Sequence, residues 1–295
     1  MPADMDKRLR QLQLQTRFPV EHLLAGEYRS VFKGRGLDFD EIRGYLPGDD
    51  IRSIDWNVTA RTGTPHTRCY IEERELAVWF LIDTSASCRV EQSERTKWDA
   101  IHEITALLTL SAAHNNDRTG LILFSDRIEQ IIPPRKGRRH AQQLLNTLLT
   151  AEPKGKRTDL QPALDALSHL ARKRSLVFLI SDFMFDTRQD QLGTISFRQD
   201  LIAIAVNAPN EITPPLCGLT AVEDAETGTT MLCDFGLAHR DAYARAFAER
   251  RATLATQLEA TGTSLIELDT RQNCAEILTL FFRNRRRRTA DETGG

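Results

Sequence analysis

The stretch Leu76–Ser87 reads LAVWFLIDTSAS, an apolar run that ends abruptly in an acid and two hydroxyls. In a chain near extended geometry, side chains two residues apart point the same way, so Asp83, Ser85 and Ser87 can direct three oxygens toward one point. Mg²⁺ and Ca²⁺ prefer such hard oxygen ligands. The stretch therefore predicts a strand with a divalent-cation site at its end. The alternative is that Asp83 caps the following helix and both serines are turn residues.

Strand and helix patterns alternate after this stretch, which is typical of a mostly parallel sheet covered on both faces. Helical periodicity predicts helices at 97–114, 141–149, 160–170, 238–260 and 275–282. Further strands are predicted at 120–125, 175–181, 201–206 and 264–268, and a small hairpin at 220–222 and 229–232. An antiparallel edge strand is predicted at 127–132, ended by Pro133 and Pro134. The predicted fold is α/β, with a doubly wound sheet.

A second apolar run, SLVFLISDF, ends in Asp182, and the polar loop GKRTDL supplies Thr158. In an open parallel sheet, ligands bind where the strand order reverses, beyond the carboxyl ends of the strands. The strands that end in Asp83 and Asp182 are expected to flank that point.

Asp83-x-Ser85-x-Ser87, the downstream Thr158 and Asp182 at a strand end together resemble the metal-ion-dependent adhesion site of von Willebrand factor A domains. The resemblance implies a von Willebrand factor A-like fold and a bound Mg²⁺, with Ca²⁺ or Mn²⁺ as alternatives. It also implies that Ser85 and Ser87 coordinate the ion directly, Thr158 directly or through water, and Asp83 and Asp182 largely through water. The loop departs from the usual pattern because no double glycine precedes Thr158, so Asp159 is an alternative ligand.

The N-terminal segment up to residue 75 is predicted to be a helical and β-rich extension. Met1–Gly26 has the pattern of short amphipathic helices, and Gly26–Arg61 is punctuated by glycine and proline into short strands and turns. Its aspartates Asp49, Asp50 and Asp55 are candidates for a catalytic or second metal site. Nearby arginines and the Pro47-Gly48 turn favour a structural role, as caps and ion-pair partners.

The same segment carries a second resemblance. The residues are Gly34-x-Gly36-x-x-Phe39-x-x-x-Arg43-x-Tyr45-x-Pro47-Gly48-Asp49-Asp50-x-Arg52-x-Ile54-Asp55-Trp56, then Thr59-Ala60-Arg61 and Glu72-x-Arg74-Glu75. This pattern resembles the signature of the family named domain of unknown function 58, whose members join such a segment to a von Willebrand A-like domain. The expected division is an extension at 1–75, a von Willebrand A-like domain at 76–282 and a basic, disordered tail at 283–295.

Composition is that of an ordinary soluble globular protein, with 41% hydrophobic and 27% charged residues and a net charge of −2. The five cysteines are scattered and form no C-x-x-C pair, which argues against a disulfide framework or a zinc site. The N-terminus lacks a signal-peptide core, and no apolar stretch approaches the roughly 18 residues that span a bilayer. Because the membrane helices of longer relatives are also lacking, we expect a cytoplasmic protein without membrane contact.

The predicted function is regulated protein binding. Hydroxyl ligands and waters leave at least one exchangeable position on Mg²⁺, which a Glu or Asp of a client protein can occupy. Proteins similar to this one are typically found with MoxR-type AAA+ ATPases and are thought to form chaperone-like complexes with them. The resemblance therefore implies a non-enzymatic, metal-dependent adaptor for such an ATPase.

Two other functions remain as alternatives. A metal-dependent hydrolase would use the open position to activate water, but it would need a general base, and the spacing of His102, His114 and His140 does not indicate one. Nucleic-acid binding would rest on the arginine-rich run 283–288. A solubilising tail or an arm for an acidic protein is the preferred interpretation of that run, because no aromatic stacking platform accompanies it.

Overall fold

The computed structural model describes residues 38–46, 49–50, 53–71, 76–90, 95–185 and 189–293. The predicted helices within Met1–Gly26 lie outside these ranges, as do Gly34 and Gly36 of the signature. In chain order, strands β1 to β10 are Asp38–Gly44, His66–Ile71, Ala77–Asp83, Arg118–Phe124, Ile128–Arg135, Leu176–Ser181, Asp200–Asn207, Gly218–Glu223, Thr230–Phe235 and Ser264–Asp269. Helices α1 to α8 are Trp56–Thr62, Lys97–His114, Arg138–Leu149, Gln161–Leu170, Gln189–Arg198, Pro209–Ile212, Leu237–Ala260 and Cys274–Thr293.

The central sheet has six strands in the order β10-β7-β6-β3-β4-β5. Every neighbouring pair is parallel except β4 and the edge strand β5, which are antiparallel. β3 and β6 lie at the centre, where Val78–Asp83 and all of β6 are buried. Their continuous apolar runs suit strands that contact helices on both faces. The predicted mostly parallel α/β sheet is confirmed.

Helices cover both faces of this sheet. On one face, Phe80 and Ile82 of β3 pack in a core with residues of α2, α3 and α8. On the other face, Trp79 and Leu81 pack in a core with residues of α4, α5 and α7. The alternation of side chains along a strand places neighbouring residues in opposite cores. This arrangement is the predicted doubly wound architecture.

The strand order reverses at the centre of the sheet. β4 lies on one side of β3, whereas β6 lies on its other side, so loops leave the two central strands in different directions. Asp83 is the last residue of β3, and Asp182 directly follows β6. Loops that diverge at such a point leave a crevice between them, which is where ligands bind in open α/β sheets.

The edge strand differs from the prediction at its end. β5 pairs antiparallel with β4 as predicted, but it continues through Pro133 and Pro134 to Arg135. The pairing register shifts between Thr119 and Leu121, opposite these prolines. An edge strand tolerates proline because one side of its backbone needs no ladder hydrogen bond. The prediction that the prolines end the strand was therefore wrong.

β8 and β9 form the predicted small hairpin, separate from the central sheet. Neither strand contains a fully buried residue. Leu219 is 70% exposed and Leu232 is 72% exposed, although both are apolar. The hairpin thus contributes little to either core, and it is held on α7 by edge-on packing of Phe235 against Tyr243 and by a pair between Asp234 and His239.

The C-terminal helix is longer than predicted. α8 runs to Thr293, so residues 283–293 are helical and the predicted disordered tail is wrong for them. Arginine is a strong helix former and no proline or glycine interrupts the run. Phe282 is buried in the core, and Arg285 pairs with Asp200 at 2.5 Å, so the helix is anchored where the basic run begins.

The described helices include two long ones, α7 with 24 residues and α8 with 20. Neither of them, nor any other helix in the described ranges, has the length and apolar character together that a membrane crossing requires.

The described part of the N-terminal extension consists of β1, β2 and α1, which lie outside the central sheet. Asp55 caps α1 by accepting hydrogen bonds from the backbone N–H groups of Asn57 at 2.9 Å and Val58 at 3.2 Å. Asp49 pairs with Arg43 at 2.9 Å. These contacts are the structural roles predicted for Asp49 and Asp55.

Candidate metal centre

The carboxylates of Asp83 and Asp182 lie together at the carboxyl ends of β3 and β6. Asp83 is 0% exposed and Asp182 is 1% exposed. A carboxylate oxygen of each and the Sγ atom of Cys88 all lie within 4.8 Å of one another. The fold therefore brings together two acids that are 99 residues apart in the sequence.

Both oxygens of Asp83 accept hydrogen bonds. Oδ1 accepts from the backbone N–H of Ser85 at 2.9 Å, and Oδ2 accepts from the hydroxyl of Ser181 at 2.7 Å. Burial and the negative charge of Asp182 nevertheless raise the pKa of Asp83 to about 7, against the lowering effect of these hydrogen bonds. Negative charge therefore dominates around Asp83, and a bound cation would stabilise the ionised form of Asp83.

The hydroxyls of Ser85 and Ser87 lie 3.1 Å apart in the turn that follows β3. Ser85 is buried and Ser87 is half-buried. The turn is fixed on one side by Thr84, whose backbone N–H and hydroxyl both donate to the carbonyl of Phe124, at 2.7 and 2.8 Å. The D-x-S-x-S turn thus brings the two serine hydroxyls together, and the backbone N–H of Ser85 binds Asp83.

Asp182 has an ion-pair partner that the sequence interpretation did not include. The ammonium of Lys97 donates to Asp182 Oδ2 at 2.8 Å and to Glu211 Oε1 at 2.5 Å, and the Lys97 side chain is 1% exposed. Burial lowers the pKa of Lys97, but the surrounding negative groups, Asp182 first, outweigh it and raise that pKa above its ordinary value. Lys97 is therefore a permanent positive charge beside the cluster.

Cys88 is close enough to be considered as a ligand, but its chemistry is unfavourable. Burial, and then the charges of Asp182 and Asp83, raise the pKa of the Cys88 thiol well above its ordinary range. Metal ions bind the thiolate rather than the thiol. Cys88 is thus a buried neutral group that packs against the site.

The loop that carries Thr158 adjoins the serine turn. The backbone N–H of Ala86 donates to the carbonyl of Lys156 at 2.9 Å. Glu129 holds the other end of the loop by accepting from the backbone N–H groups of Lys154 at 3.0 Å and Gly155 at 2.8 Å. These bonds fix the loop against the serine turn.

Within this loop, the hydroxyl of Thr158 donates to Glu226 Oε1 at 2.8 Å. A hydroxyl that donates its proton in one direction keeps its lone pairs available in others. Thr158 could therefore still be a metal ligand while it holds Glu226. Asp159, the alternative ligand, instead accepts from the backbone N–H of Gln161, the first residue of α4, at 2.9 Å.

The donor set fits a hard divalent cation. Oxygen atoms predominate, and the group holds three carboxylates and one ammonium: Lys97 contacts Asp182 and Glu211, and Asp182 in turn lies beside Asp83. When all three acids are ionised, this group keeps two negative charges, which Mg²⁺ would neutralise. Buried charge is costly unless it is paired, so the residues present suit such an ion.

The backbone beside Asp182 is strained. Phe183 has a φ of 53°, in the left-handed region that residues with a Cβ rarely adopt. Such a conformation costs about 1–3 kcal/mol and often occurs at functional sites. Here the backbone N–H of Phe183 donates to the hydroxyl of Ser181 at 3.0 Å, which ties the strained residue to the group that holds Asp83.

Three residues of this centre were missed in the sequence: Lys97, Ser181 as a partner of Asp83, and Glu211. Lys97 had a detectable signal, because it continues the apolar stripe of Ile101, Ile104 and Leu108 on α2. A lysine at such a position needs a buried partner. Glu211 lies 114 residues from Lys97, and no local pattern in the sequence connects them.

Comparisons with known proteins identify the family and a set of relatives. A family model described as "Protein of unknown function DUF58" matches residues 41–253. An uncharacterized protein of Mycobacterium tuberculosis is 34% identical over 282 residues, which is 95% of this chain and 89% of the relative. A shorter uncharacterized protein of Mycobacterium avium is 35% identical over 159 residues, 53% of this chain and 94% of the relative.

Among solved structures, the chain is similar to an aerotolerance-related membrane protein of Bacteroides fragilis, with a TM-score of 0.45, 12% identity, and coverage of 72% of this chain and 99% of that one. It is also similar to the SpRpn10 VWA domain, with a TM-score of 0.42 and 11% identity. That match covers 70% of this chain and 94% of the SpRpn10 domain. The family match spans both the N-terminal extension and the sheet that carries Asp83. This chain therefore belongs to the family of proteins of unknown function DUF58.

Proposed function

We propose that this protein is a non-enzymatic adaptor that binds other proteins through a Mg²⁺-dependent site and acts with a MoxR-type AAA+ ATPase. The observation that carries the proposal is the buried cluster of Asp83, Asp182, Ser85 and Ser87, whose acids outnumber the nearby cation Lys97. The ATPase partner comes from the family resemblance noted in the sequence. A role in assembling or activating client proteins follows from that partnership.

Different residues would bind the ion directly or through water. Ser85 and Ser87 offer hydroxyl oxygens on one turn, and Thr158 offers its lone pairs from the adjoining loop. Asp83 and Asp182 would act mainly through their charge, by way of water. Mg²⁺ is the preferred ion, with Mn²⁺ or Ca²⁺ as alternatives of similar ligand preference. When bound, the ion would supply a position for a carboxylate of the client protein.

Space for a partner exists beside this position. An open cleft of about 620 Å³ adjoins Thr158, lined also by Asp159, Leu160, Gln161, Phe185, Asp190 and Gln191. The lining is partly polar and partly apolar, which suits a peptide segment, and its two carboxylates, Asp159 and Asp190, favour basic side chains on the part of the client that enters the cleft. A client could therefore place its acid at the ion and pack neighbouring residues in the cleft.

Binding is favoured over hydrolysis by the state of the titratable groups. A hydrolase needs a group that takes a proton from water. Among the described groups of the cluster, Lys97 and Cys88 are both held in their protonated forms. These two groups therefore do not supply that base, and Asp83, whose pKa is raised to about 7, is the group of the cluster that a hydrolase would have to use.

A cytoplasmic location is part of the proposal. The cysteines with described side chains, Cys88, Cys217, Cys233 and Cys274, are all free thiols. Free thiols of this number are typical of a reducing compartment.

The test measures ion binding and ATPase binding with the same purified proteins. Calorimetric titration with Mg²⁺ is expected to show binding to the wild type, and little binding to Asp83→Ala or Ser85→Ala. The tagged chain is then mixed with the purified MoxR-type ATPase of the same organism. We expect retention with Mg²⁺, and loss with a chelator or with either variant.

The matched control is Asp165→Ala, which removes an exposed acid of α4 outside the cluster. It should bind Mg²⁺ and the ATPase like the wild type, and circular dichroism checks that each variant is folded. ATPase retention that is insensitive to the chelator and to both site variants would overturn the metal-dependent adaptor.

A further inference from the structure

The tip of the β8–β9 hairpin contacts the loop of the candidate metal centre. Thr158 donates its hydroxyl hydrogen bond to Glu226, which lies 68 residues away in the hairpin turn. The neighbouring Arg157 contributes to a lowered pKa of Asp224 in the same turn, after the larger effects of hydrogen bonds from Thr227 and Glu226. Thr158 thus holds Glu226 by a hydrogen bond, and the charge of the adjacent Arg157 has a small favourable effect on Asp224 of the same turn.

The turn is built so that Glu226 is held in place. The carboxylate of Asp224 accepts from the backbone N–H of Glu226 at 2.9 Å and from the hydroxyl of Thr227 at 2.7 Å. Gly228 has a φ of 70° and donates its backbone N–H to the carbonyl of Asp224 at 2.8 Å. An aspartate and a left-handed glycine are the residues that close such a turn. Glu226 is therefore presented by a defined turn.

The remainder of the hairpin is attached at its base. None of the residues in β8 or β9 is fully buried, and the outward leucines Leu219 and Leu232 are mostly exposed. The base of the hairpin is held on α7, where Phe235 packs edge-on against Tyr243 at 6.1 Å and Asp234 pairs with His239 at 3.1 Å. The tip itself has no fully buried residue, and its hydrogen bond to the metal-site loop is the one between Glu226 and Thr158, so that bond holds the tip at the loop.

We propose that Glu226, bound to the loop of Thr158 beside the candidate metal centre, is a carboxylate of this chain that competes with a client's acid, and that the tip of the hairpin covers the position this acid would take. The inference rests on the proposed function, because it concerns access to the same site. An acid that reaches the ion beside Thr158 would meet the carboxylate of Glu226, which Thr158 holds at 2.8 Å. Two carboxylates in one position would also repel each other. A client must therefore displace Glu226.

Competition of this kind lowers the apparent affinity for the client. If the hairpin tip, here called the cover, occupies the site for roughly nine-tenths of the time, removing the carboxylate of Glu226 should strengthen binding of the client about tenfold. Glu226→Gln keeps an oxygen that can accept from Thr158 but removes the charge, whereas Glu226→Ala removes both. Glu223→Ala is the matched control, since Glu223 is an exposed acid of the same hairpin.

The experiment uses the full chain with acetate as the probe, because acetate carries the carboxylate and nothing else. Hydrogen exchange of amides at residues 224–229 is followed with Mg²⁺, with and without acetate, using chloride at equal ionic strength for comparison. In the wild type and in Glu223→Ala, acetate should speed exchange of these amides severalfold. In Glu226→Ala exchange should already be fast and acetate should add little.

The outcomes separate this inference from the proposed function. If calorimetry shows Mg²⁺ binding but Glu226→Ala exchanges like Glu223→Ala, the cover is overturned and the metal-dependent adaptor stands. The same holds if acetate has no effect on a Mg²⁺-loaded wild type. If the wild type binds no Mg²⁺, the proposed function fails and the inference fails with it.

Discussion

The ammonium of Lys97 lies 2.8 Å from a carboxylate oxygen of Asp182, and both side chains are only 1% exposed. A buried ion pair of this kind gains little over apolar packing, but removing one partner leaves a charge that neither water nor protein neutralises. The buried negative charge of Asp182 is therefore neutralised by Lys97 whenever no other cation is near. This pairing connects the stability of the fold with the occupancy of the candidate metal centre.

Replacing Lys97 by methionine should destabilise the protein and make it depend on Mg²⁺. In a chelator, Lys97→Met is expected to lose about 3–5 kcal/mol of unfolding free energy, because Asp182 and Glu211 lose their shared cation. Added Mg²⁺ should restore part of this loss. Urea denaturation with Mg²⁺ or with chelator measures both effects.

Lys173→Met is the control for that experiment, since Lys173 is an exposed lysine. It should change the unfolding free energy by less than about 0.5 kcal/mol, as surface substitutions usually do. Equal stability of Lys97→Met and Lys173→Met in chelator would contradict the importance of the buried pair.

The raised pKa of Asp83 predicts an unusual pH dependence. Burial and the charge of Asp182 raise that pKa from 3.8 to about 7. A group that binds its proton more tightly in the folded chain stabilises folding at low pH, and this stabilisation is lost as pH rises through about 7. The loss attributable to Asp83 is on the order of 4 kcal/mol.

This contribution is measured as the difference between the wild type and Asp83→Asn, because other carboxylates change stability in the opposite direction. In chelator, the advantage of the wild type should fall between pH 4 and pH 7. Mg²⁺ affinity should rise over the same range, since the ion competes with the proton. A pH-independent difference between the two proteins would rule out the raised pKa.

Several parts of the fold and site were readable from the sequence because their signals are local. Val78–Ile82 and Leu176–Ile180 are uninterrupted apolar runs, so they identified the two central strands. Asp83, Ser85 and Ser87 lie within five residues of one another, so backbone geometry alone brings them together. The structure places Asp182 with them because β6 lies beside β3.

Other parts depend on contacts that no local pattern encodes. Glu211 reaches Lys97 only because α6 follows β7 at the same end of the sheet, and Glu226 reaches Thr158 only through the hairpin. Pro133 was interpreted as a strand end because proline lacks the N–H that a central strand needs for its ladder hydrogen bonds. At the edge of the sheet that N–H is not needed, so the strand continues. The helical run 283–293 was missed because charge was weighed more heavily than the helix propensity of arginine.

Ser181 should be essential for the arrangement of the buried acids. Its hydroxyl donates to Asp83 and accepts from the backbone N–H of the strained residue Phe183. Ser181→Ala would leave both partners unsatisfied in the interior, at a cost of about 1–3 kcal/mol in unfolding free energy. The matched control is Ser168→Ala, whose hydroxyl donates only to a carbonyl of its own helix. Urea denaturation at pH 8 should separate the two variants clearly, and equal midpoints would contradict the role of Ser181.

The loop that carries Thr158 should tolerate no side chain at Gly155. A Cβ built there would lie 2.1 Å from Ser125 Oγ and 2.3 Å from Asp126 Oδ1, far inside contact distance. Gly155→Ala must therefore displace the loop or the side chains of Ser125 and Asp126, with a cost of about 1–3 kcal/mol. Because Thr158 follows three residues later, Mg²⁺ affinity measured by calorimetry should fall as well.

Gly193→Ala is the matched control, because a Cβ at that position in α5 meets its nearest neighbour at 3.8 Å. In a helix this change should be neutral or stabilising by up to about 1 kcal/mol, with unchanged Mg²⁺ affinity. If Gly155→Ala loses stability but keeps full Mg²⁺ affinity, the loop matters for folding alone and Thr158 is not a ligand. If this loop completes the metal centre, Gly155→Ala should lose both stability and Mg²⁺ affinity. Gly193→Ala should lose neither.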